Sequence, residues 1–201
     1  MSSGTSERFR LYDQPFPNGD YRFLQLGFVV EDLLASARRW VEVYGAGPFF
    51  VLPYKGPQPA RYHGKPAELS YQIAVSQLGP LQIELIRPMA DYPSVYRDMY
   101  APGEKGVHQL STVTKDFDAA MAHYIGLGYE PWNELTTAVG RIAYFDTRSD
   151  FGLATEVIEH SPLFLDTLAK TAAVCANWDG VDPIRILRPE GGYDVPVEDR
   201  R

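Results

Sequence analysis

The chain has 201 residues, 45% hydrophobic and 22% charged, with a net charge of −7. That length suits one well-buried domain or two tightly coupled halves, and the acidic balance excludes a nucleic-acid or anionic-membrane surface, which needs a basic field. The single cysteine, Cys175, excludes a disulfide framework and a thiolate metal site, and no apolar run approaches the roughly 18 residues of a membrane span.

Residues 1–20 are polar and carry Pro15, Pro17 and Gly19, so a flexible arm is expected there. The first ten, "MSSGTSERFR", lack the apolar core of a secretory signal, which makes a cytoplasmic chain the expectation. A strand spans about Phe23–Val30. Asp32 then stands at an N-cap position, and Leu33, Ala37, Trp40, Val41 and Tyr44 recur at helical spacing. Gly45 and Gly47 close that helix. "PFFVLPY" reads as a short strand. Lys55 to Pro66 holds Gly56, Pro57, Pro59 and Gly64 and reads as a loop. "ELSYQIAVSQLGPLQIELI" makes two strands around Leu78-Gly79-Pro80. A connector follows, with one short helix expected from Ser94.

The plan then restarts. Strand Val107–Val113 leads to Asp116, which caps a helix from Phe117 to about Gly126. "GYEPW" is a short strand, and "GRIAYFDT" and "GLATEVIE" are two more around Ser149-Asp150. Gln25 matches Gln109, Asp32 matches Asp116, and Glu84 matches Glu156. The order β-α-β-β-β thus occurs twice, at about 21–90 and 105–160. This makes an α+β domain over 21–160, a duplicated unit and not a solenoid. From Ser161 the pattern changes. "SPLFLDTLAKTAAVCANW" is one helix with Pro162 at its start, expected to pack outside the repeat or on a partner chain. The rest of 161–201 reads as a polar tail with little regular structure.

Strand side chains alternate between faces. In "LQIELI", Leu81, Ile83 and Leu85 form the face that a helix covers, and Gln82, Glu84 and Ile86 form the other. Each half therefore places one Gln and one Glu on the inner face of its sheet. A carboxylate there is expensive unless it is paired or bound to a cation. Any one of these residues alone reads as the solvated face of a strand. Four at repeat-equivalent positions favour a shared interior.

The stretches "QLGFVVEDLLASARRWVEVYGAGPFFV", "LQIELIRP", "GVHQLSTVTKDFDAAMAHYIGLGYEPW" and "RIAYFDTRSDFGLATEVIE" resemble the glyoxalase/bleomycin-resistance/dioxygenase superfamily, the vicinal oxygen chelate fold. They are most similar to its methylmalonyl-CoA epimerase-like and glyoxalase-like members. The resemblance covers about Tyr21 to Glu159. It implies tandem βαβββ modules forming a curved mixed-sheet cup, and one divalent metal held by Gln25, Glu84, Gln109 and Glu156. It also implies pairing of two chains, and the last helix, with Leu163, Phe164, Leu168 and Val174, supplies an apolar face for a homodimer. Two histidines of the family pattern are replaced here by Gln25 and Gln109. The remaining oxygen donors suit Mg²⁺, Mn²⁺ or Ca²⁺ better than zinc or iron, or no metal at all. His108, one residue before Gln109, faces away in a regular strand, and only a bulge turns it inward.

Other residues carry two readings each. Tyr54, Tyr71, Trp132 and Tyr144 either wall a pocket for an apolar or aromatic ligand or belong to the core. His63 is either a lid residue over the cup or a surface histidine. Arg87 and Arg97 either grip a carboxylate or phosphate, as a thioester substrate needs, or solvate the connector.

Two functions stay open. In the first, Glu84 or Glu156 moves a proton next to a carbonyl or thioester, with metal assistance, as an epimerase, isomerase or lyase. In the second, the chain sequesters a small molecule without metal. A metal-free carboxylate pair sharing one proton lies between the two.

Overall fold

Asp32 and Asp116, the residues matched between the two repeats, each start a helix in the same way. Their carboxylates accept the backbone N–H of Ala35 and Ala119, both at 2.9 Å, which satisfies donors that a helix start leaves open. The structure, a computed structural model, describes residues 22–199. The arm expected at 1–20 lies outside them.

The first module comprises β1 (Arg22–Val29), α1 (Leu33–Tyr44), β2 (Phe49–Val51), β5 (Tyr71–Leu78) and β6 (Leu81–Pro88). A hairpin of β3 (Gln58–Tyr62) and β4 (Lys65–Leu69) interrupts it. The second comprises β7 (Gly106–Thr114), α2 (Phe117–Gly126), β8 (Pro131–Thr137), β9 (Gly140–Phe145), a short α3 (Arg148–Phe151) and β10 (Ala154–Glu159). After it come α4 (Pro162–Ala176), β11 (Ile184–Leu187) and β12 (Tyr193–Asp194). The described strands form one sheet in the order β12-β11-β2-β5-β6-β1-β7-β10-β9-β8-β3-β4. The modules meet where β1 and β7 pair antiparallel, and in each module the first strand runs parallel to the last.

This order forces curvature. β4 ends one side of the sheet and β5 lies fourth from the other, yet only Ser70 separates them in sequence. One residue spans no more than about 3.6 Å, so the sheet wraps round on itself into a cup. α1 covers the outside of the first half, with Leu33 and Ala37 packed on Phe49, Ile83 and Leu85. α2 covers the second, with Phe117 and Ala120 on Ala143, Phe145 and Val157. Each fully buried side chain of this kind contributes about 1.5–3 kcal/mol.

The structure corrects four expectations. Lys55–Pro66 is not a loop throughout, because β3 and β4 pair with each other and β3 extends β8. Its prolines fit because Pro66 sits on the edge strand, where a missing N–H costs little. The segment from Ser94 forms turns and not a helix. The polar tail is not irregular, since β11 pairs parallel with β2 and buries Ile184 in the core beneath α1. Its end is tied to α1, where Arg38 donates to Asp199 at 2.8 Å and Glu198 at 2.7 Å.

The fourth correction concerns α4. It does not pack outside the cup but lies across its concave side. Leu168 is buried against Leu24 and Val113. Leu163, Phe164, Thr171 and Val174 face the same interior cavity as Gln25 and Glu84. Both ends are fixed. Ser161 caps the helix at Phe164 N, 3.1 Å, and donates to Val139 O at 2.6 Å. Past its far end the Trp178 ring fills the space beside Gly47, where a Cβ would come within 2.6 Å of the ring. Of the apolar residues on which a homodimer is expected, Leu168 is buried within the chain, while Leu163 and Val174 stay exposed.

Candidate active site

Two rows of side chains cross the four central strands. One row is Gln82, Gln25, Ser111 and Glu156; the other is Glu84, Gly27, Gln109 and Ala154. Read in opposite directions, they are the same row, as expected of a duplication: a glutamine, then a small residue, then a glutamate. The small residue is what lets each glutamine reach the other module's acid. Gln109 lies over Gly27, where a Cβ would sit 2.4 Å from its Cδ, and donates from Nε2 to Glu84 Oε2 at 2.9 Å. Gln25 accepts the Ser111 hydroxyl at 3.0 Å, and Ser111 also bonds the Glu156 carboxyl. Gln25 in turn donates to Gln82 Oε1 at 2.7 Å. The structure thus brings the four residues singled out in the sequence together as two linked pairs, Gln109 with Glu84 and Gln25 with Glu156 through Ser111. Gly27, Ser111 and Gln82 were not singled out, although the paired "QLG" and "QLS" spacing carried the signal.

His108 joins them through a bulge. β1 and β7 change register so that Gly27 pairs with Gln109 but Phe28 with Val107, leaving His108 as the extra residue. Its ring is fully buried between Tyr96, Tyr144 and Trp132. Nε2 faces Val95 O at 3.0 Å, and Nδ1 faces Gln109 Oε1. Two acceptors would demand a charged imidazolium, yet burial pushes the His108 pKa down. Turning the Gln109 amide by 180° resolves the conflict, because oxygen and nitrogen ends are interchangeable in shape. Neutral His108 then donates to Val95 and accepts from Gln109 Nε2. Gln109 Oε1 is left facing Glu84, which must bring a proton or a cation.

The electrostatics agree. Glu84 and Glu156 are both raised above the usual carboxylate range, Glu84 strongly. Burial is the largest cause for each, and the neighbouring Glu156 charge adds to it for Glu84. Hydrogen bonds from Ser111 and Tyr144 act against the shift at Glu156. Glu84 is therefore the better proton holder and Glu156 the better anion.

The acids stand in the floor of a cavity of about 570 Å³, which Tyr71, Ile73, Ile142, Tyr144 and α4 also line. Tyr71 and Tyr144 thus reach the cavity. The others do not. Trp132 packs behind His108, with its indole N–H on Asp98 at 2.7 Å. Tyr54 bonds Ser70 at 2.7 Å. His63, at positive φ in the β3–β4 turn, lies 3.8 Å from Asp98. Arg97 is held by Asp91 at 3.1 Å and Ala90 O at 3.2 Å. Arg87 is exposed.

Among the described residues no cluster of three or more His, Cys, Asp or Glu side chains is placed to hold a metal. Any cation therefore depends on the two amides as well as the two acids. Two carboxylates and two amide oxygens fit a hard cation such as Mg²⁺, Mn²⁺ or Ca²⁺, provided Gln109 is turned as above, and do not fit zinc or iron.

Residues 24–145 match the family model described as the Glyoxalase/Bleomycin resistance protein/Dioxygenase superfamily. Among solved structures, a hypothetical protein from Bacillus halodurans is 16% identical with a TM-score of 0.50, covering 70% of this chain and 95% of its own. Methylmalonyl-CoA epimerase from Mycobacterium tuberculosis is 16% identical with a TM-score of 0.48, covering 72% and 91%. The Streptomyces coelicolor methylmalonyl-CoA epimerase is 19% identical with a TM-score of 0.46, covering 70% and 97%. No curated protein matches the chain. The family match spans more than half of the sequence, from β1 through β9, and the chain belongs to the glyoxalase/bleomycin resistance protein/dioxygenase superfamily.

Proposed function

We propose that this chain moves a proton at a carbon next to a carbonyl of a small molecule, as an epimerase, isomerase or lyase. One observation carries this reading: Glu84 and Glu156, both buried and both raised in pKa, are wired to opposite modules at the floor of one cavity. A pair of acids with different environments supplies one acid and one base. Glu156, favoured as the anion by Ser111 and Tyr144, takes the proton from carbon. Glu84 gives its proton to the carbonyl oxygen or to the opposite face of the carbon. His108 holds Gln109, and Gln109 holds Glu84, in the geometry this needs. In place of the Glu84 proton, a hard divalent cation on Gln25, Glu84, Gln109 and Glu156 would supply Lewis-acid polarisation of the carbonyl.

A second reading, sequestration of a small molecule, is favoured by the apolar wall that α4 adds. The test is solvent-deuterium exchange followed by proton NMR, with a neutral ketone (2-tetralone), a 2-oxo acid (2-oxobutyrate) and methylmalonyl-CoA. Exchange at the α-carbon of at least one, slowed by about 10²-fold or more in Glu156→Gln, supports proton transfer. No acceleration with any of the three would leave the binding reading standing in its place.

A further inference from the structure

We infer that the cavity takes a neutral, largely apolar carbonyl compound and not a polyanionic thioester. This rests on the proton-transfer reading only for where the carbonyl points. The volume, about 570 Å³, lies within the range of sites that enclose a whole small molecule. Its walls are Phe50, Leu52, Ile73 and Ile142 from the sheet, with Phe164 and Leu168 from α4. A coenzyme A thioester would bring several phosphate charges, and these are recognised by clustered Arg or Lys. Among the described residues the lining offers only Lys55 and Lys170. Both are exposed, and Lys170 is paired with Asp166 at 2.6 Å. The arginines considered for such a role are elsewhere: Arg97 is committed to Asp91 and Arg87 lies on the surface.

The floor shows where the one polar end belongs. Gln82 is only 4% exposed and lines the cavity, yet its sole hydrogen bond among the described residues is the one to Gln25, which leaves one end of its amide open. The Tyr71 hydroxyl lines the same floor and has no hydrogen-bond partner among the described residues. Both polar ends open onto the cavity, and a ligand oxygen placed between these two and Glu84 would give them a hydrogen-bond partner that the fold does not supply. The remainder of the ligand meets hydrocarbon. A second charged end placed deep in the cavity would lie against Ile73, Ile142 and Phe164, or beside the two glutamates.

Calorimetry on the full chain tests this with three probes: 2-tetralone, tetralin (the same skeleton without the carbonyl) and propionyl-CoA. The expected result is 2-tetralone binding at least about tenfold more tightly than either other probe. Thr167→Trp, an exposed helix position whose side chain borders the cavity, should weaken 2-tetralone by about tenfold or more through occupied volume, without burdening the fold. Gln82→Leu should bring 2-tetralone down to the level of tetralin. Propionyl-CoA binding more tightly than the ketone would overturn the inference, as would a ketone affinity that ignores both substitutions, or none at all. The outcomes separate the two proposals. Tight, cavity-dependent ketone binding without α-exchange keeps this inference and removes proton transfer. Exchange on methylmalonyl-CoA but not on the ketone does the reverse.

Discussion

Replacing both buried acids by their isosteric amides, Glu84→Gln with Glu156→Gln, should change how stability depends on pH. Each acid has a folded-state pKa raised above its ordinary value of 4.5. Between that value and the raised one, the folded chain binds a proton that the unfolded chain has lost. The stabilisation is full below about pH 4.5 and falls as pH rises through the folded pKa. The slope for one such group is about 1.4 kcal/mol per pH unit, and about twice that where both hold protons. His108 works the other way: its folded pKa is lowered from 6.5 by burial, so its contribution is full above 6.5 and fades as pH falls. Taking wild type minus double variant removes the His108 contribution, since that residue is present in both. Urea unfolding in EDTA buffer, at half-unit steps from pH 5 to 8, measures the difference. Wild type should lose ground to the variant by at least about 1 kcal/mol per unit at the acid end of the range, and the curves should run parallel once both acids have ionised. Curves parallel over the whole range would mean that neither glutamate is protonated in the fold, and the account of a proton on Glu84 would be wrong.

Two further outcomes follow from the same rows of side chains. Gly27→Ala places a methyl group 2.4 Å from Gln109 Cδ, so it should cost about 1–3 kcal/mol by overpacking, and any exchange activity should fall with it as Gln109 loses Glu84. An equally stable and active Gly27→Ala protein would show that Gln109 does not need to lie over β1. Titrating stripped protein with Mg²⁺, Mn²⁺ and Zn²⁺ should show uptake of the first two only, weak and lost in the double glutamine variant. Tight zinc uptake would mean that an imidazole is coordinating, and His108 is the imidazole within reach.

The duplicated plan was legible because it rests on local signals. Asp32 and Asp116 cap helices, the apolar residues repeat with the right periods, and each half opens on the same glutamine. Those signals placed Gln25, Glu84, Gln109 and Glu156 on one inner face, where the structure has them. Three features were not legible, and each depends on a distant partner. The Lys55–Pro66 segment carries enough proline and glycine to read as a loop, and only the open edge of β8 makes a strand of it. The tail is polar along its length, but Ile184 finds an unfilled place beneath α1 and the backbone follows. The last helix presents an apolar stripe that fits the outside of a cup or its mouth equally well, and the choice is made by Leu24 and Val113, which leave a place for Leu168.

His108 shows the limit most sharply. Strict alternation sends it away from Gln109, and a single extra residue opposite the Gly27–Phe28 step brings it back. No residue type in "GVHQLS" demands that bulge. What favours it is the interior itself, since the buried aromatics Tyr96, Trp132 and Tyr144 surround the ring and Val95 offers a carbonyl. The gain to the site is a fixed orientation for Gln109: a neutral imidazole with Val95 on one nitrogen can only accept on the other, which turns the amide oxygen toward Glu84. The two halves are thereby made unequal. Glu84 is reached through an amide anchored by histidine, and Glu156 through a serine hydroxyl that carries one proton and faces two acceptors. A symmetric pair would have no reason to assign acid and base, whereas this asymmetry raises Glu84 further than Glu156 and is the basis of the roles proposed for them.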